Sequence, residues 1–103
     1  MNDTVSRIYH VTDQQALDAA VNGQYECASL HQEGFIHCCT IDQLAGVLQR
    51  YYKDQRGLKR LEIDPAALTS QLVFENTVGG EELFPHVYGS INMDAVLSVS
   101  DIA

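Results

Sequence analysis

The chain has 103 residues, enough for one domain around one core, and its 46% hydrophobic and 19% charged residues are an ordinary globular balance. A net charge of −8 argues against general binding to nucleic acid, because phosphate repels such a surface. No apolar run approaches the roughly 18 residues of a membrane-crossing helix, and no basic segment precedes an apolar one at the amino terminus, so neither a membrane span nor a secretory leader is expected.

In chain order, Arg7 to Val11 reads as a strand because Ile8, Tyr9 and Val11 favour extended backbone. Thr12 is then expected to cap a helix whose stripe is Ala16, Leu17, Ala20 and Val21, with Gly23 as its stop. Gln24 to Gly34 reads as mostly loop, with a short turn at Cys27 to His31. Phe35 to Cys38 is a second strand. Thr40 starts a second helix, and Gln43 stands at the spacing of a capping box. Ile41, Leu44, Val47, Leu48 and Tyr51 are its expected apolar face, and Gly57 ends the region. Leu58 to Asp64 alternates as a strand, with Leu61 and Ile63 facing one way and Arg60 and Glu62 the other. Pro65 to Leu68 is a short turn, Gln71 to Glu75 a strand, and Gly79–Gly80 a loop. Phe84 to Tyr88 is extended, with Pro85 pointing to an edge or an irregularity, and Ala95 to Val99 is the last strand. The pattern is α+β: a compact mixed or antiparallel split sheet with two main helices, in a single domain spanning residues 1–103.

The three cysteines, Cys27, Cys38 and Cys39, are an odd number, and a disulfide between adjacent Cys38 and Cys39 would be strained. A reducing, cytoplasmic location is expected. Five of the six basic residues (Arg50, Lys53, Arg56, Lys59 and Arg60) fall in one stretch. They are either a solvated helix end and loop or a local anion-binding edge for a phosphate or nucleotide.

Three histidine-bearing segments carry the candidate chemistry: Ile8-Tyr9-His10-Val11-Thr12, Gly34-Phe35-Ile36-His37-Cys38-Cys39-Thr40, and Glu81-Glu82-Leu83-Phe84-Pro85-His86-Val87-Tyr88-Gly89. In the first two, a histidine near a strand end is followed by a threonine that opens a helix, a junction suited to an anion or polar ligand. His86 and Tyr88 are two apart and share one face of their strand. The three histidines are expected to converge on one polar pocket, with Thr12, Thr40 and Tyr88 beside them as ligand-binding residues. Each also has a structural alternative, as a histidine satisfying buried backbone groups, and His37 has the strongest claim to it. His31 is expected to be solvated. A zinc site built from the histidines with Cys38 or Cys39 lacks paired ligand spacing, and a nucleophilic Cys38 or Cys39 competes with burial of either as a small hydrophobe. Adjacent Glu81 and Glu82 point to opposite sides if extended and do not make a natural acid–base pair.

Ile-Tyr-His-Val-Thr, Glu-Gly-Phe-Ile-His-Cys-Cys-Thr, Leu-Glu-Ile-Asp-Pro-Ala-Ala-Leu and Glu-Leu-Phe-Pro-His-Val-Tyr-Gly-Ser-Ile together resemble the bacterial family called domain of unknown function 952, from about Ile8 to Val99. The resemblance implies an ADP-ribosyltransferase-like fold and supplies no established activity. By that analogy His10 and Thr12 match a His-x-Thr motif that holds a nicotinamide cofactor, so NAD or a related nucleotide is the implied ligand. His10 would meet a ribose hydroxyl, and Thr12 would orient the ribose or cap the helix. Glu82 would be the late carboxylate and, with His10 and His86, catalytic, whereas His37, Thr40 and Tyr88 would bind ligand. The tyrosine motif of those enzymes has no clear match. A transferase is therefore set against a non-catalytic binding or interaction module that kept the fold, with a zinc-dependent hydrolase as the third reading.

Overall fold

The computed structural model describes residues 6–76 and 79–102. Its first strand, β1 (Ile8–Asp13), runs two residues past the expected end. Thr12 therefore stays in the ladder, opposite Lys59, and Asp13 takes the capping role: its Oδ1 accepts the Ala16 N–H at 2.8 Å. The helix that follows, α1 (Gln14–Asp18), is shorter than its apolar stripe suggests. Val21 instead exchanges backbone hydrogen bonds with Gln24 across Asn22 (φ 55°) and Gly23 (φ 74°). Two consecutive left-handed residues make the primed turn that suits a hairpin, and Asn-Gly is the pair that adopts it at least cost.

The segment expected to be mostly loop holds β2 (Gln24–Tyr25) and α2 (Ala28–Glu33). Gly34, at φ 91°, ends α2 in a conformation costly for any side chain. Next come β3 (Ile36–His37) and α3 (Ile41–Tyr51), where Thr40 is the N-cap as expected and its N–H donates to Gln43 Oε1 at 2.9 Å. The apolar face of α3 is narrower than the sequence suggests: Leu44 is buried, Val47 and Leu48 are half-buried, and Ile41 and Tyr51 are exposed. Then follow β4 (Leu58–Ile63), a 3-10 turn (Pro65–Ala67), β5 (Gln71–Glu75), β6 (Phe84–Tyr88) and β7 (Ile91–Asn92). A second 3-10 turn (Met93–Ala95) buries Ala95, so β8 (Val96–Asp101) starts and ends later than expected.

The strands form three antiparallel sheets, in the orders β1-β4-β8, β2-β7 and β3-β6-β5. The α+β class stands; among the described residues there are three helices, of which α3 alone exceeds two turns. β6 is a central strand, not an edge, despite Pro85. The Cys38 N–H still donates to Pro85 O at 3.0 Å, but proline returns no donor, and the β3 ladder stops there. Released from β6, the chain pairs Cys39 with Tyr9 through bonds of 2.7 and 2.8 Å, which join the first and third sheets.

Both faces of β1 are buried. Ile8 packs with Tyr25, Ile36, Leu61, Ile63 and Val87 on one side. Tyr9 and Val11 pack with Cys39, Leu44 and Leu58 under α3 on the other. Arg60 leaves this second face with its guanidinium 5.5 Å from the centre of the Tyr9 ring, and its buried Nε has no hydrogen-bond partner among the described residues. No helix among the described residues is long and apolar enough to cross a membrane.

Candidate functional site: two adjoining cavities on either side of β1

Strand alternation sends His10 and Thr12 to the same face of β1. There they meet Tyr25, which is 1% exposed. Its hydroxyl lies 2.7 Å from His10 Nε2 and 2.8 Å from Thr12 Oγ1. His10 Nδ1 lies 2.7 Å from the His37 carbonyl. A carbonyl only accepts, so Nδ1 carries a proton and donates it to His37 O. Burial holds the Tyr25 phenol above its ordinary range, opposed by the Thr12 hydrogen bond, so it remains a neutral hydroxyl.

His37 and His86 are cross-strand partners with ring centroids 5.1 Å apart. Phe35 stacks on His86 at 4.1 Å and 17°, and also touches Tyr88 at 5.3 Å. His86 and Tyr88 share a face, and both bond Glu75: His86 Nδ1 is 2.9 Å from Glu75 Oε2, and the Tyr88 hydroxyl donates to the same oxygen. The Tyr88 and His86 hydrogen bonds, in that order, hold the Glu75 carboxyl below its ordinary value. The same bond raises the Tyr88 phenol. His37 pairs outward with Glu33 at 3.2 Å.

Two cavities open beside these groups. An aromatic one of about 330 Å³ is walled by Tyr9, Tyr51, Tyr52 and Phe84, with His37 and His86 at its polar side. A second one of about 320 Å³ is the more polar of the two, with His10, Thr12, Tyr25, Cys27 and Ser29 set among apolar side chains. Val11, His37 and Tyr52 border both. The expected single histidine pocket is thus two adjoining spaces: His10 faces one, His86 the other, and His37 both. Thr40, Tyr88 and Glu82 line neither. Thr40 serves α3 as its cap, Tyr88 is 40% exposed, and Glu82 is exposed in the segment before β6. The carboxylate beside His86 is Glu75, at the end of β5. His31 is exposed and lies 3.1 Å from Glu26.

The cysteines divide sharply. Cys38 and Cys39 are buried, and burial pushes the Cys39 thiol up to about 12 and that of Cys38 well above the ordinary value. Cys27, which the sequence did not single out, is half-buried on the polar cavity. Burial opposes its ionisation, but hydrogen bonds from His10 and Ser29 outweigh that and bring the thiol down to about 7. Among the described residues no three His, Cys, Asp or Glu side chains gather as a metal ion would require.

No curated protein matches the chain. A crystal structure of protein CC0527 from Caulobacter crescentus is similar to it, with 27% identity and a TM-score of 0.83 over 94% of this chain and 86% of that one. A crystal structure of a double mutant of the same protein matches at 26% identity and a TM-score of 0.83, covering 94% and 86% of the two chains. Its solution structure matches at 27% identity and a TM-score of 0.80, covering 94% and 84%. Residues 10–99 match the family described as Protein of unknown function (DUF952), a span that includes the residues around both cavities apart from Tyr9. The chain belongs to that family.

Proposed function

We propose that the protein binds a small molecule that joins an aromatic ring to a ribosyl and phosphate portion, a nucleotide of the NAD or ADP-ribose type. The observation that carries this reading is the pairing of an aromatic cavity with a polar one across the shared border of Val11, His37 and Tyr52. A planar base gains offset-stacked or edge contacts among Tyr51, Tyr52 and Phe84, and His37 and His86 offer ring edges for its polar atoms. Hydroxyls of the ribose meet Thr12 and Tyr25. His10 acts through Tyr25, because both of its nitrogens already face protein partners.

Charge supports an anionic ligand. Arg50, Lys53 and Arg56 are exposed and interleave with Tyr51, Tyr52 and Gln55, which line the cavities. In a chain of net charge −8 this is where phosphate is least repelled. Calorimetry with NAD and ADP-ribose tests the reading. Binding is expected to weaken about tenfold or more in Tyr52→Ala, through lost stacking, and to weaken with added salt as the basic rim is screened. Absence of heat with either ligand, using folded wild-type protein, removes the nucleotide reading.

A further inference from the structure

Among the described residues, one ring nitrogen of His86 has no protein partner. The side chain is 3% exposed, and its ring stacks on Phe35 with centroids 4.1 Å apart. Nδ1 lies 2.9 Å from Glu75 Oε2, and the Tyr88 hydroxyl braces the same oxygen by donating to it. Nε2 bonds none of the described residues. Nor is it sealed in: among the described side chains that are not exposed, Arg60 Nε is the one nitrogen or oxygen that lacks both a partner and access to solvent. Nε2 therefore opens onto the aromatic cavity, which His86 lines with Tyr9, Tyr52 and Phe84. A free polar atom on an otherwise buried ring, at the edge of a mostly apolar space, is a contact left for a ligand.

We propose that the aromatic cavity selects adenine, with His86 Nε2 accepting a hydrogen bond from the exocyclic amino group and Glu75 as the positioning residue that fixes the imidazole. The inference rests on the nucleotide reading above and names the ring that fills the aromatic space. Its bonds to Tyr88 and His86 hold Glu75 as a carboxylate, which only accepts, so Nδ1 carries a proton. On the alkaline side of its titration an imidazole keeps one proton. With that proton turned to Glu75, Nε2 presents a lone pair. Its complement is an N–H donor on the edge of a planar ring. The amino group of adenine is such a donor, and adenine is the ring that NAD and ADP-ribose share. Hypoxanthine carries a carbonyl oxygen in its place, so two acceptors would face each other away from water. On the acid side Nε2 gains a proton, and the amino group then meets another donor. The other titratable groups around the ring are His37 of β3 with its partner Glu33 of α2, Tyr88 on the same strand, the buried Cys38, and Tyr9, Tyr51 and Tyr52 across the cavity. Of these only His37 is a second imidazole, the side chain that ordinarily titrates between pH 5 and 8.

Calorimetry with ADP-ribose and its hypoxanthine counterpart, which differ only at that exocyclic group, tests the proposal. At pH 8 the wild-type protein is expected to bind ADP-ribose about tenfold or more tightly than the counterpart. At pH 5.5 the ratio should shrink toward one. The riboses and the diphosphate are common to both ligands, so their own titration cancels in the ratio. His86→Phe keeps a ring against Phe35 and removes the nitrogen, and its ratio should be near one at both pH values. Glu75→Ala should lower the ratio at pH 8 about threefold or more, because Nδ1 loses the partner that fixes its proton. A wild-type ratio near one at pH 8, or an undiminished ratio in either variant, overturns the proposal. So does a pH dependence of the ratio that persists in His86→Phe, which would belong to His37. NAD binding without ADP-ribose binding overturns it as well, because a ring other than adenine would then fill the cavity. If the variants do not fold, the wild-type ratio at the two pH values decides alone. Equal binding of the two ligands removes this inference and leaves the nucleotide reading standing, whereas silence from both NAD and ADP-ribose removes both.

Discussion

Glu75 illustrates how a single carboxylate can organise two aromatic neighbours. It accepts from Tyr88 and faces His86 through one oxygen, and its carboxyl is held below 4.5, the ordinary value. A carboxylate with a lowered folded pKa contributes stability that is fully present above its unfolded value and lost as pH falls through the folded one. Wild type should therefore melt higher than Glu75→Gln at pH 7, and the gap should close as pH is lowered below about 4.5. Melting curves across that range would show a constant gap if the carboxylate's charge were irrelevant. The sequence pointed to Glu82 because only order along the chain was available for the choice. Glu75 becomes visible only with the register that pairs it with Phe84 and sets Val73 opposite His86. Cys27 was hidden for the same reason, since the cavity it lines with His10 is assembled from several elements. The shared face of His86 and Tyr88, by contrast, follows from strand periodicity alone and was legible.

Elements were legible where the chemistry is local. Thr40 and Gln43 announce the start of α3 because a capping box is read within four residues. Gln43 also has a role that no local pattern shows: its Nε2 donates to the Leu83 carbonyl at 2.7 Å, tying α3 to the segment that leads into β6. Gln43→Ala should cost about 1 kcal/mol or somewhat more, near the upper part of the usual capping range, because two bonds are lost. Chemical denaturation would measure it, and a loss within noise would mean that solvent satisfies both partners. Gly23 was expected to stop the helix, but Asn22–Gly23 forms a hairpin turn instead, and α1 is short because that turn draws Val21 to Gln24. Pro85 misled in the opposite direction. Its missing donor faces the point where β3 already departs toward Tyr9, so a proline is tolerated in a central strand.

At the scale of the whole molecule, the alternation of β4 foretold which side chains build the core. Leu61 is fully buried in the cluster on one face of β1, whereas Leu97 is 49% exposed on β8. Leu61→Ala should cost roughly 3 kcal/mol, the cavity and transfer penalty of a deep core site, and Leu97→Ala less than about 0.5 kcal/mol. Equal effects in urea denaturation would contradict the burial pattern. What the sequence could not show is that β1 divides two packed clusters rather than edging one, because long-range pairing decides that. The division bears on synthesis. Ile8 pairs with Ile63, Tyr9 bridges to Cys39, and β8, which completes the sheet, lies near the carboxyl end. A nascent chain therefore carries β1 with both apolar faces uncovered until β4 emerges, and such long-separated pairings form slowly. Among the described strands, β1 is the segment that a chaperone would be expected to shield during translation.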